Sequence, residues 1–347
     1  MPFMKIIKPG LLTTIQDRGR FHYQKWGVPV AGAMDEYALR VGNMSVGNQE
    51  NDGCLEITLL GPVIEFLQSG MVALAGADLG AKLNQRHIGA WESFLVSKGD
   101  ILQFTGVQSG CRCYLAVAGG IKIPVVMGST STYLRGGIGG ISGRALSEGD
   151  ELELKSQVNA NVLTPGVIPA EYRYKPSTLH VVRVVLGPQD DAFTQGGINT
   201  FLQSEYRVTH ESDRMGCRLQ GPGIEHKSKP DIISDGIPMG SIQVPGNGSP
   251  IVMMADRQTI GGYAKIATVI TPDLWKLAQT NAGDGIKFAR VNLAQAHEIY
   301  KEYENLLNEL PQKLTKIQEK PGGFSEHKKL LLVKVAGRKY RVEIEEI

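Results

Sequence analysis

The densest gathering of chemically capable side chains lies in the second half of the chain. Asp256, Arg257, Thr259, Tyr263 and Lys265 fall within MMADRQTIGGYAKIA (Met253–Ala267), on either side of the diglycine Gly261-Gly262. If that diglycine forms a tight turn between strands, these side chains converge at its mouth. Gln243, in GSIQVP (Gly240–Pro245), follows an apolar residue and precedes Val244-Pro245, so its amide projects from a strand end. DRMGCRLQGP (Asp213–Pro222) adds Arg214 and Arg218. An amide, an acid, several cations and a phenol suit a small anionic or amide substrate. Gln243, Lys265, Asp256 and Tyr263 are the candidates for the chemical step. The same residues would also make a solvated hairpin carrying surface ion pairs.

A second gathering opens the chain. TTIQDRGR (Thr13–Arg20) is followed by GVPVAGAMD (Gly27–Asp35), which packs Asp17, Arg18, Asp35 and several glycines into a short space. Glycine lets backbone approach a ligand closely, and the planar arginine fork matches carboxylate or phosphate. An ion pair from Asp17 to a neighbouring arginine, tying down a turn, would explain Asp17 and Arg18 equally well.

Several chemistries are missing. There is no G-x-x-x-x-G-K-[ST] phosphate loop, no G-x-S-x-G elbow and no H-E-x-x-H pair. The glycine-rich run Arg135–Gly140 lacks a strand-to-helix context, so alone it does not make a phosphate site. The histidines are dispersed, and no metal site is expected. Net charge is +2 with the basic residues scattered, and the His327-Lys328-Lys329 run is too short for a phosphate stripe, so neither nucleic acid nor a membrane surface is expected as a partner. The most apolar stretch, Tyr114–Met127, is broken by Lys122 and Pro124, and the first residues carry no leader pattern. Four cysteines in 347 residues are too few for a disulfide framework; they read as buried small hydrophobes in a reducing, cytoplasmic setting.

The elements that must position these residues are mostly strands. Forty-two glycines punctuate short apolar runs. Strands are expected at Leu55–Leu60, Val72–Ala75, Ile101–Thr105, Tyr114–Ala118, Leu179–Leu186, Ile251–Met254, Ala267–Ile270 and Ile286–Val291. Helices are few. Asp35 caps one through about Ser45, Pro272 opens another through Gln279, and the longest runs from Leu293 to about Leu310 with Ile299, Tyr303, Leu306, Leu307 and Leu310 on one stripe.

The two halves echo each other. ENDGCLEITLLGPVIE from Glu50 and ESDRMGCRLQGPGIE from Glu211 share acids, a cysteine, a leucine and Gly-Pro-x-Ile-Glu. Gly32-x-x-Asp35 is matched by Gly187-x-x-Asp190, and Gly99-Asp100 by Gly283-Asp284. The offset, roughly 155 to 185 residues, is domain-sized and points to duplication of one β unit. The proline-bearing stretch Lys155–Pro176 separates a first domain at 1–160 from a second at 176–293. The remainder, 294–347, holds the long helix, a Pro-Gly-Gly linker and a hairpin in which Val333, Val335, Tyr340, Val342 and Ile344 alternate around Ala336-Gly337. A lone hairpin is marginal in water, so this one is expected to dock on a sheet edge, of another copy or of a partner.

The segments IQDxGR (Ile15–Arg20), GVPxxGAMD (Gly27–Asp35), AGAD (Ala75–Asp78), GPQ (Gly187–Gln189), DRMGxRLxGP (Asp213–Pro222), GxIQVPxxGxPI (Gly240–Ile251) and DRQTxGGYxKIAxV (Asp256–Val269) follow one another in a family order. Together they resemble the C subunit of bacterial ATP-dependent 5-oxoprolinase, a family also described as the Kip antagonist or as the second subunit of allophanate hydrolase. It is related to the carboxyltransferase region of biotin-dependent urea carboxylase. The resemblance implies a mainly β chain of two tandem cyclophilin-like barrels, working with two partners, a Kip-inhibitor-like B subunit and a lactam-utilisation-like A subunit. It further implies ATP-driven opening of 5-oxo-L-proline to L-glutamate by the whole assembly, which fits a chain with no nucleotide loop of its own. Carboxyl transfer to a urea-like amide, or non-catalytic antagonism of a kinase inhibitor, are the alternatives the family offers. The tail departs from the family: VKVAGRKYRVEIEEI is similar to the opening strands of a biotin carrier but has no Ala-Met-Lys-Met acceptor, so no covalent biotin is expected here.

Overall fold

The computed structural model describes residues 1–158, 164–173 and 177–316, together with the strands at 328–335 and 338–345. Contacts divide the chain into two units, Met1–Lys316 and Ile317–Ile347. In the second unit Lys328–Val335 pairs antiparallel with Arg338–Glu345, Val335 opposite Arg338, as the alternation implies. The Ala336-Gly337 turn and the Pro-Gly-Gly linker lie outside the described residues.

All eight expected strands are present in the first unit, and they fall into three sheets. One has six strands in the order Glu151–Glu153, Pro2–Lys8, Val63–Phe66, Ile101–Phe104, Ala81–Leu83, Arg86–His87. A second runs Leu12–Gln16, Cys54–Thr58, Ser109–Val117, Gly70–Asp78, Glu92–Val96, Gly166–Val167, Thr315–Lys316. The third closes into a seven-stranded barrel, and its closing seam is the parallel pairing of Leu179–Leu186 with Gly285–Arg290. The first half therefore surrounds its core with two sheets, whereas the second half does so with one closed ladder.

Period-two alternation decides which side chains meet. In Gly70–Asp78, Val72 and Leu74 enter the core between the two first-half sheets, while Met71, Ala73 and Ala75 face the opposite way. That opposite face is covered by helix α1 (Glu36–Ser45), whose Tyr37, Ala38, Leu39 and Val41 pack on it. Helix α2 (Gln195–Gln203) is not legible in the sequence, because its run of Gln, Gly, Asn and Thr hides the buried Gly197 and Phe201. A 3-10 turn carrying Pro272 leads into α3 (Leu274–Ala278).

Helix α4 (Leu293–Lys313) begins at an Asn292–Gln295 capping box. Leu307 and Leu310 on its stripe are buried in the same core as α1. Arg40 of α1 reinforces that contact, donating to both oxygens of Glu304 at 2.8 Å and to Glu50 at 2.7 Å. The helix expected to belong with the tail is thus a wall of the first unit.

The internal echoes lie on strands or at the start of helices and turns. The two Gly-x-x-Asp motifs precede helical turns, the two Cys-containing motifs lie on Cys54–Thr58 and Gly216–Gln220, and the two Gly-Asp pairs open Ile101–Phe104 and Gly285–Arg290.

Candidate functional site

A buried ionic network joins the two halves, and Arg214 is its hub. Its Nε and Nη2 donate to the two oxygens of Asp256 at 3.0 and 2.9 Å, and Nη2 also donates to the Gly32 carbonyl at 2.6 Å. Nη1 pairs with Glu56. Glu56 sits in the strand Cys54–Thr58, where Leu55 and Ile57 face the first core and Glu56 the other side. The sheet register sets it opposite Tyr114. The second oxygen of Glu56 accepts from the Tyr114 hydroxyl at 2.6 Å and from the Met34 N–H at 2.8 Å. Tyr114 Oη accepts from the Asp35 N–H at 2.8 Å.

Asp35 is the N-cap of α1 as expected, its Oδ1 accepting from the Ala38 N–H at 3.1 Å. Its Oδ2 accepts from Gln279 at 2.7 Å. Charge balance explains the protonation states. Burial by itself would raise the Glu56 carboxyl, but Arg214, Arg112 and the two donors outweigh it and hold the group below its ordinary range. Burial together with Glu56 and Asp35 pushes the Tyr114 phenol well up, so it stays a donor. Both oxygens of Asp256 are taken by Arg214, so Asp256 serves as a counter-ion and not as a group free for chemistry.

The second assembly is a groove of about 1040 Å³ on the second half. In Gly216–Gln220, Cys217 and Leu219 enter the barrel core and Arg218 turns outward into the groove. Gln243 ends the strand Ser241–Gln243 and lines the same groove, as does Tyr263. Gln243 Nε2 donates to the Tyr263 carbonyl at 3.2 Å. The diglycine does not form the expected turn. Gly261 and Gly262 lie inside the strand Ile260–Tyr263, which pairs with Asp231–Gly236 as a small arm. The physical reason is close approach: a Cβ on Gly261 would stand 2.5 Å from Ile237 Cδ1 and 2.9 Å from Gln243 Nε2.

Because the segment is extended, the polar residues around it diverge instead of converging. Lys265, 2% exposed, is the cross-strand neighbour of Gln243, and its Nζ donates to Asp235 on the arm at 2.7 Å. Gln189, of the GPQ segment, accepts from the Lys265 N–H at 3.2 Å. Thr259 contributes its carbonyl to Ile237 N–H at 3.0 Å. Arg257 points elsewhere, into a cavity that Arg18 also lines.

Asp17 makes no arginine pair among the described residues. It is buried and accepts five bonds, among them those from Gly19 N–H and Ser129 Oγ at 2.7 Å and from Thr130 N–H at 2.7 Å. It is the anchor of the 129–131 loop. Arg18 instead pairs with Glu36 at 2.8 Å. Arg135, in the glycine-rich run, stands at the groove rim and pairs with Asp213 at 3.3 Å.

Sequence reasoning missed Glu56, Tyr114, Gln279 and Asp235. Glu56 left a signal, since a lone acid between Leu55 and Ile57 in an apolar strand must find a partner. Gln279 and Asp235 left none, because their partners are 244 and 30 residues away. The four cysteines are buried and free. Among the described residues no group of three or more His, Cys, Asp or Glu is placed to hold a metal, and no helix is long and apolar enough to cross a membrane.

The mainly β architecture with its closed barrel is that of a carboxyltransferase domain. The chain belongs to the carboxyltransferase domain family, subdomain A and B, which it matches over residues 26–290. It is 37% identical to the C subunit of 5-oxoprolinase from Escherichia coli, over 90% of this chain and 98% of that one. The figure for the C subunit of 5-oxoprolinase from Haemophilus influenzae is 38%, over 86% of this chain and 94% of the relative. Among solved structures, Kluyveromyces lactis urea carboxylase superposes with a TM-score of 0.84 at 29% identity. That match covers 99% of this chain but 33% of the urea carboxylase, so the chain spans about a third of that enzyme's length.

Proposed function

We propose that this chain is the C subunit of an ATP-dependent 5-oxoprolinase, acting with A and B subunits to open 5-oxo-L-proline to L-glutamate. The observation that carries this reading is the near end-to-end similarity to two proteins named as C subunits of 5-oxoprolinase, 37% and 38% identical over 98% and 94% of their lengths. Within it, the groove offers the substrate amide and carboxylate three groups: the Gln243 amide, the Tyr263 phenol and the Arg218 guanidinium. Lys265 stands behind Gln243, held by Asp235 of the arm, where a displacement of the arm would free its ammonium for the substrate. ATP is used by the assembly, its site lying on a partner, and the protein works in the cytoplasm.

Purified alone, the chain shows no 5-oxoproline-dependent ATP hydrolysis; mixed with its partners it releases glutamate from 5-oxoproline and ATP. Robust turnover by the isolated chain overturns this reading.

The likeness to urea carboxylase favours a second reading, carboxyl transfer from carboxybiotin to a urea-like amide. Activity of the assembly with urea and bicarbonate, and none with 5-oxoproline, decides for it.

A further inference from the structure

A small cavity of about 180 Å³, separate from the groove, is lined by Arg18, Glu36 and Arg257 among apolar and aromatic side chains. At ~30 Å³ per water it has room for about six waters, or a compact organic molecule. Phe21, Leu274 and Trp275 supply apolar surface. Its polar lining is unbalanced. Arg18 is paired with Glu36 at 2.8 Å, which leaves Arg257 without a carboxylate at ion-pairing distance among the described residues.

Arg257 is 9% exposed and oriented by neutral acceptors alone, its Nε donating to the Ile237 carbonyl at 2.8 Å and its Nη1 to the Met254 carbonyl at 3.1 Å. Among the described residues Nη2 makes no hydrogen bond. Asp256 next in sequence gives no relief, since both its oxygens are committed to Arg214. Burial accordingly pushes the Arg257 guanidinium down to about 10. A buried cation held in place by carbonyls, with one N–H face open to an apolar cavity, is arranged to receive an anion from outside the chain.

We propose that this cavity binds a small monocarboxylate with a compact apolar body, the carboxylate accepting from Arg257 and the body packing on Phe21, Leu274 and Trp275. Arg18 and Glu36 neutralise each other in the lining, so Arg257 carries its net positive charge. The site is distinct from the groove and does not depend on the oxoprolinase reading.

The test is isothermal titration of the isolated full chain with 5-oxoproline and with cyclopentanecarboxylate, using 2-pyrrolidinone as the uncharged control. At least one carboxylate binds and 2-pyrrolidinone does not. Arg257→Leu weakens that binding tenfold or more. Ala33→Leu, which fills the cavity and leaves both arginines in place, does the same; if Arg257→Leu fails to fold by circular dichroism, Ala33→Leu decides. Absence of carboxylate binding at millimolar concentration overturns the proposal, as does binding that survives Ala33→Leu unchanged or binding of 2-pyrrolidinone as tight as that of the carboxylates. The readout is binding to one chain, so its failure is separable from failure of glutamate release by the assembly.

Discussion

Gln279, just past the end of α3, donates its amide N–H to Asp35 at the start of α1 across 2.7 Å, although the two stand 244 positions apart in the chain. The same side chain accepts from the N–H groups of Cys111 and Arg112 at 3.0 Å and donates to the Arg112 carbonyl at 2.9 Å. One amide thus satisfies the N-cap of a first-half helix and a bend in a first-half strand, from the second half.

Gln279→Ala should therefore be costly. It strips partners from two backbone N–H groups, each worth about 1–3 kcal/mol when left unsatisfied, and removes one donor from the Asp35 carboxylate. The expected loss is at least about 2 kcal/mol in urea unfolding. A change under about 0.5 kcal/mol would mean that water replaces the amide and the contact is not a structural tie.

Arg214→Met leaves Glu56 and Asp256 buried without their cation, and removing one partner of a buried pair costs about 3–5 kcal/mol. The pH dependence follows from Glu56. Its folded-state carboxyl is held below the ordinary value of 4.5, so the unfolded chain binds more protons as pH falls through that region. Stability from this group is fully present above its unfolded pKa and is lost as pH drops through the folded value. Glu56→Gln should flatten that acid limb relative to the parent; thermal melts from about pH 7 down to about pH 3 check this, and parallel limbs would show that other carboxyls govern acid unfolding.

Gln243→Ala in the groove and Lys265→Met behind it should each lower glutamate release by the assembly about tenfold or more, the ~1.5–3 kcal/mol of a hydrogen bond to a charged group. The melting temperature of each variant should stay close to the parent, because the Gln243 side chain makes one bond, to a backbone carbonyl, Met keeps the buried stem of Lys265, and the Asp235 it releases is exposed. Loss of activity in step with loss of stability would place both residues in the scaffold.

Truncation after Lys316 should leave the first unit folded, since Met1–Lys316 is a compact unit by its own internal contacts. The hairpin alone has two strands, too few to be stable in water. The truncated chain should retain its circular dichroism and melting temperature yet lose self-association or partner capture in light scattering and pull-down. Normal assembly by the truncated chain removes the docking role.

Local order is legible in the chain itself. Alternation sets the eight strands, Asp35 and Asn292 mark helix starts, and the Gly-Asp echoes open a strand in each half, because each of these signals depends on neighbours a few residues away. Tertiary structure alone decides what the polar motifs do. Asp17, Arg214 and Asp256 read as site residues by type and spacing, but folding buries them, and a buried charge must spend its hydrogen bonds inside the protein. Gln243 and Arg218 come from strands on either side of Ile251–Met253 and Tyr263 from the small arm, and they reach one groove only through that tertiary pairing. The diglycine reads as a turn in the sequence because what demands glycine there is the approach of Ile237 and Gln243, a contact that no local pattern encodes.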